Sequence, residues 1–209
     1  CNKVARSEAG QLTQNKDVLH RRWFLIDIDP VRLAGIGSTA EEKEATKAVA
    51  LGVRDFLRQL GWPEPILSDS GNGYHLLYRI DLPPDDCGLL SLVLVALHQR
   101  FDNDQAKIDK SVHNPGRICK LPYTWARKGE NMPERPHRRS VFLEVPPTGP
   151  IIGLPSEVAE GWKVEVVPIE LLKALADQVP AITPATSPRA KTHPTATSKP
   201  QTSDVNHKH

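Results

Sequence analysis

Two aspartates stand in the stretch WFLIDIDP, residues 23–30, which otherwise reads as a buried β-strand. Strand residues two apart point to the same face and lie about 6.6 Å apart along the chain, so the carboxylates of Asp27 and Asp29 crowd one side. Two like charges in a partly desolvated place are unfavourable unless a cation, a proton or basic side chains offset them. One outcome is structural: both acids end the strand and pair with arginines such as Arg21 or Arg32. The other is a divalent metal site, because Mg²⁺ and Mn²⁺ take oxygen ligands, retain several waters and need only a few protein carboxylates. Asp109, in KIDKSV, offers a third acid near an expected strand end. A surface-turn aspartate is its plain alternative.

Two further stretches carry chemistry. In SDSGNGYHLLYRI, residues 68–80, Gly71 and Gly73 allow backbone amides to approach a ligand, Ser70 and Asn72 offer side-chain donors, and His75 sits just inside the following strand. The cluster reads as an anion cradle, with a glycine-rich hairpin turn and a hydrogen-bonded histidine as the structural alternative. In NPGRICKLPYTWARKG, residues 114–129, Arg117 and Lys120 flank an expected short strand and Arg127 and Lys128 follow in the next turn. Arginine grips a phosphate bidentately and lysine acts as a point charge, so the stretch suits a triphosphate or a nucleic-acid backbone. RPHRR, residues 135–139, extends the basic surface through Arg135, Arg138 and Arg139, and Tyr123 or Trp125 offers a stacking face for a base. A solvated basic loop is the alternative for those last five residues.

The elements that must position these groups are legible in outline. RWFLIDID predicts a strand ended by Pro30. From Ser38, STAEEKEATKAVALGVRDFLRQLGW opens with a Ser-x-x-Glu capping box and carries Ala45, Val49, Val53, Phe56 and Leu60 at helical spacing before Gly61. A hairpin over PILSDSGNGYHLLYRI and an apolar helix near 86–101 follow. Short strands are expected at KIDKSV, GRICKLPYT, SVFLEV and WKVEVV, then a helix over PIELLKALADQV with Pro168 in its first turn. Interleaved helices, strands and hairpins predict an α+β (mixed α/β) domain. Residues 1–22 form a polar lead-in, 23–179 the domain, and 180–209, with five prolines and nine Ser or Thr, a linker or disordered tail.

Bulk properties narrow the class. A chain of 209 residues, 39% hydrophobic and 25% charged, is ample for a core. The strongest apolar run, GLLSLVLVAL at 88–97, is about half the ~20 residues a bilayer span requires, so no membrane partner is expected. Cys1, Cys87 and Cys119 are odd in number and widely spaced, which predicts neither a disulfide framework nor a zinc site and makes a reducing cytoplasm the default. The chain opens on Cys1 with no leader pattern, the expectation for a fragment whose N-terminus lies upstream. A net charge of +2 conceals a basic block at 110–139, with eight Lys or Arg against two Glu, of the kind a phosphate-rich partner attracts.

The order of these motifs resembles the archaeo-eukaryotic primase (primase-polymerase) superfamily, closest to primases of plasmid, phage and integrative-element replication proteins. LIDIDP, SDSGNGYHLLY and IDKSVHNPGRICKLPYTWARKG fall in that order within residues 23–129, followed by RPHR. The resemblance implies a primase-like catalytic core with an RRM-like sheet. It implies Asp27, Asp29 and Asp109 as catalytic, metal-binding carboxylates for a two-metal Mg²⁺ or Mn²⁺ site. It also implies nucleotide contacts from Ser70, Gly71, Asn72, Gly73 and His75, with Arg117 and Lys120 as further phosphate contacts. The zinc-binding cluster of some members is missing from this sequence.

The expected activity is metal-dependent nucleotidyl transfer, making or extending a primer from NTPs or dNTPs on a single-stranded DNA template. Arg127, Lys128, Arg135, Arg138 and Arg139 would lie along the nucleic acid, and a helicase domain or protein would follow the linker. A metal-dependent nuclease and a non-catalytic single-stranded DNA-binding module are the alternatives.

Overall fold

The computed structural model describes residues 2–4, 13–146 and 164–180. It is a mixed α+β fold: an antiparallel sheet with, among the described residues, three α-helices. The expected tail beyond Pro180 and the start of WKVEVV lie outside the described residues.

The axis of the sheet is β2 (Val18–Pro30), four residues longer at its start than RWFLIDID suggests. It pairs with β4 (Tyr74–Leu82) along most of its length. Its other edge carries β1 (Lys3–Val4) near the start and β5 (Ala106–Ile108) near the end. Beyond β4 lie β3 (Ile66–Asp69) and β8 (Val141–Glu144), giving the order β1-β2-β4-β3-β8. Pro30 closes β2 opposite Ala106, where the missing N–H removes the least from the ladder. A separate two-stranded ribbon joins β6 (Trp125–Ala126) to β7 (Arg138–Arg139).

The alternation of β2 and β4 assigns the two faces. Phe24, Ile26 and Ile28 of β2, with Tyr74, Leu76, Tyr78 and Ile80 of β4, are buried in the core. Covering them are α1 (Ala40–Gln59), α2 (Leu89–Phe101) and α3 (Ile169–Ala176). Phe56 meets Phe101 edge-on with ring centroids 5.4 Å apart, fastening α1 to α2, and Trp62 meets Tyr78 at 5.1 Å. Each fully buried aliphatic side chain here contributes about 1.5–3 kcal/mol. Leu25, Asp27 and Asp29, one residue out of phase, face the opposite side of the sheet.

Three expectations need correction. Helix α1 is capped by Thr39 and Glu42, not by the Ser38–Glu41 pair one residue earlier; Ser38 is engaged elsewhere, by Asn72. The buried stripe of α1 is Lys43, Thr46, Ala50, Val53 and Leu57, so Ala45, Val49 and Phe56 are only half-buried and Leu60 is exposed. GRICKLPYT forms no strand, and the described part of WKVEVV contributes a single parallel bridge, Val166 to Arg79. In both stretches the apolar residues lack a partner strand beyond this bridge: Ile118 is 86% exposed and Leu121 69%.

Candidate functional site

On the face of the sheet away from the helices lies a cleft of about 480 Å³. Asp27 and Asp29 project into it from β2, His75 from β4, and Ser70 and Asn72 from the turn between β3 and β4. Asp27 and His75 are direct cross-strand partners, with His75 Nε2 3.4 Å from Asp27 Oδ1 and the His75 side chain 5% exposed. Burial, reinforced by the neighbouring Asp27, pushes the Asp29 carboxyl up from its ordinary value; the opposing pulls of Arg32, Lys128 and His75 do not offset it. Neither arginine proposed as a structural partner pairs with these acids. Arg21 is buried, bonded to Asp86 at 2.7 Å and to the His113 carbonyl. Arg32 donates to the carbonyls of Ile36 and Pro30. The acids therefore do not serve as a strand-end ion pair with arginine, and their side chains line an open cleft.

Asp109 lies close by along the backbone, its N–H donating to the Asp27 carbonyl at 2.9 Å. Its side chain does not line the cleft. One oxygen accepts the Ser111 N–H at 2.7 Å, capping the 3₁₀ turn Lys110–His113, and the other lies 3.4 Å from Arg117 Nη2. Among the described residues no three His, Cys, Asp or Glu side chains converge to hold a metal ion. What fits a hard divalent cation is the Asp27–Asp29 pair, two carboxylates on one cleft wall whose mutual repulsion Arg32, Lys128 and His75 offset only in part. Asp109 is not positioned as a third ligand in this arrangement.

The Ser70–Gly73 turn departs from an amide cradle. Gly71 N–H donates to Asp69 Oδ1 at 2.6 Å and Gly73 N–H to Ser70 Oγ at 3.0 Å, so both amides are engaged within the turn. The glycines make room for protein. A Cβ on Gly71, whose φ is +95°, would stand 2.5 Å from Ala126 Cβ, and one on Gly73 would stand 2.3 Å from the Ile28 carbonyl and 2.6 Å from Asp29 Oδ1. What the turn offers the cleft is the side chains of Ser70 and Asn72.

A flap of chain, residues 117–128, lines the same cleft with Arg117, Ile118, Cys119, Lys120, Ala126, Arg127 and Lys128. Lys120 Nζ also donates to the Trp125 carbonyl. Tyr123 and Trp125 are about half exposed, and Tyr123 packs edge-on against Phe142. The RPHRR arginines bond to the chain around them, Arg135 and Arg138 half-buried and Arg139 exposed. Arg135 holds Glu42 bidentately at 2.7 and 2.8 Å and the Gly37 carbonyl at 2.6 Å. Arg138 donates to the Ser38 carbonyl and Arg139 to that of Tyr123. Their guanidiniums fasten the ribbon and flap to the N-terminus of α1 and to the chain beside them.

The sequence motifs do not mark as site residues Arg32 and Cys119, which line the cleft, or Lys43, Asp69 and Ser38, which stand behind it. A lysine on the inner stripe of an amphipathic helix was the available signal. Among the described residues no helix is long and apolar enough to cross a membrane. In comparisons with known proteins no family model matches, and neither the curated proteins nor the solved structures give a match.

Proposed function

We propose that the cleft binds a nucleoside triphosphate together with a divalent cation, and that the protein is a DNA primase-polymerase, transferring nucleotides to a primer on a single-stranded DNA template in the replication of a mobile element. The observation that carries this reading is that Asp27 and Asp29 line the same cleft as Arg117, Lys120, Arg127 and Lys128. Such a cleft suits a ligand that is anionic at one end and binds through metal at its acidic wall.

Asp27 and Asp29 would hold Mg²⁺ or Mn²⁺, which when bound supplies Lewis-acid stabilisation of the phosphoryl oxygens in nucleotidyl transfer. Arg117 and Lys120 would bind phosphate oxygens and offset the charge of departing pyrophosphate, while Arg127 and Lys128 would lie along the single-stranded template. His75, held by its β4 position against Asp27, would donate a hydrogen bond to a phosphate from a nearly water-free wall. Ser70 and Asn72 would fix the ligand's orientation.

The turning of Asp109 toward Ser111 and Arg117 favours a second reading, a single-stranded DNA-binding module without chemistry. One experiment separates them. The protein is incubated with a labelled primed template, Mg²⁺ or Mn²⁺, and either NTPs or dNTPs, and the products are sized. Lengthening that vanishes in Asp27→Asn/Asp29→Asn supports the polymerase reading. Retained DNA binding without incorporation in any condition overturns it in favour of the binding module, and shortening of the label indicates a nuclease.

A further inference from the structure

Lys43 occupies the innermost position of the first full turn of α1, where an amphipathic helix ordinarily places an apolar side chain. A buried ammonium is strongly unfavourable unless paired and hydrogen-bonded. Its partners all belong to the hairpin that carries the cleft's polar side chains. Nζ lies 2.6 Å from Asp69 Oδ1 and 3.5 Å from the Gly71 carbonyl, and stands 4.7 Å from the centroid of the Tyr74 ring. The same Asp69 oxygen accepts the Gly71 N–H at 2.6 Å. Lys43 thereby orients the carboxylate that closes the turn.

The opposite end of the turn is held from the same helix terminus. Ser38 donates its N–H to Asn72 Oδ1 at 3.0 Å and its hydroxyl to the Asn72 carbonyl at 2.8 Å. Between these two attachments the turn is pressed so closely on β2 that the space for a Gly73 Cβ is already filled by Ile28 and Asp29. The placement of Ser70 and Asn72 relative to the Asp29 carboxylate is thus set from beneath, by groups that do not line the cleft.

We propose that Lys43, acting through Asp69, is a positioning residue for nucleotide binding, holding the Ser70–Gly73 turn against Asp29 so that the cleft is formed before its ligand arrives. The proposal rests on the nucleotide reading of the cleft. A turn held in place removes an ordering penalty from binding, so its release weakens affinity more than it alters the chemical step.

The test compares the full chain with Lys43→Met, Asp69→Leu and the double variant Lys43→Met/Asp69→Leu. Three measurements are made on each: thermal stability, hydrogen exchange across residues 69–74, and binding and primer extension with a nucleoside triphosphate and Mn²⁺. Each single variant leaves one charge buried and unpaired and is expected to lose stability. The double variant replaces an ion pair by apolar residues and is expected to regain it. It is nevertheless expected to exchange faster at the turn and to show KM raised on the order of tenfold with kcat little changed, because Gly71 has lost its acceptor. Wild-type turn protection and wild-type KM in a stable double variant would overturn the proposal. If the unsubstituted protein binds no nucleoside triphosphate with either metal, the nucleotide reading falls. The hydrogen-exchange comparison then still decides whether Lys43 sets the turn.

Discussion

An aspartate whose carboxyl is pushed up by burial and by a neighbouring acid opposes folding once it ionises. In Asp29 the causes are, in order, desolvation and Asp27. The folded protein therefore holds the Asp29 proton to higher pH than the unfolded chain does, and this group's contribution to stability declines as pH rises from the ordinary aspartate value through the raised one. Asp29→Asn is expected to be more stable than the unsubstituted protein at neutral pH without divalent metal, the difference shrinking as pH falls below the ordinary aspartate value. Denaturant titrations of both proteins across that range measure it. Mn²⁺ is expected to raise the melting temperature of the unsubstituted protein and to have little effect on Asp29→Asn, since only a ligand held by the folded state stabilises it. Equal metal-induced shifts in both would remove Asp29 from the cation site.

At the scale of elements, the β3–β4 turn and the start of α1 act together. Thr39 caps α1 through the Glu42 N–H, and Glu42 returns the bond to the Thr39 N–H. Thr39→Ala is expected to lower stability by about 1 kcal/mol, measured by chemical denaturation, with nucleotide affinity nearly unchanged. How far the sequence foretold these elements follows from the range of the forces involved. The same-face placement of Asp27 and Asp29 follows from strand period, which is local, whereas His75 comes to lie across from Asp27 only through the β2–β4 pairing of strands far apart in sequence. The choice between Ser38 and Thr39 as cap was not local, because STAEE contains two overlapping capping boxes and Asn72, distant in sequence, takes Ser38. Likewise the inner stripe of α1 includes Lys43 and Thr46, whose polarity hides the periodicity that a count of apolar residues seeks. Thr46 satisfies its hydroxyl on the Glu42 carbonyl, and Lys43 finds Asp69 only through the tertiary fold.

For the molecule as a whole, the basic block divides into charges that face the cleft and charges that hold the fold. Its composition alone made the eight basic residues look alike. Arg135 is a fastening because the Glu42 carboxylate, held by the Thr39 N–H at the cap of α1, is brought within its reach by the tertiary fold, 93 residues away in sequence. Lys128→Ala is expected to weaken binding of single-stranded DNA and to reduce the slope of log affinity against log salt by about 0.7. Arg135→Ala is expected instead to lower the melting temperature while leaving that slope unchanged. Fluorescence titrations of a labelled oligonucleotide at several salt concentrations, beside melting curves, distinguish the two. A loss of slope in Arg135→Ala would make that guanidinium a phosphate contact.

Because β2, from Phe24 to Asp29, gives its even-numbered residues to the core and its odd-numbered ones to the cleft, its length there is under a constraint that its composition is not. A single residue inserted between Trp23 and Ile28 would invert the frame beyond it, turning the two acids inward among the helices and Ile26 and Ile28 outward to the cleft. Conservative exchanges can be absorbed one at a time on either side of this strand, whereas an indel strikes foundation and workplace in the same event. Length variation among descendants of this chain should therefore gather in the 31–38 loop and along the flap, and stop at the ends of β2.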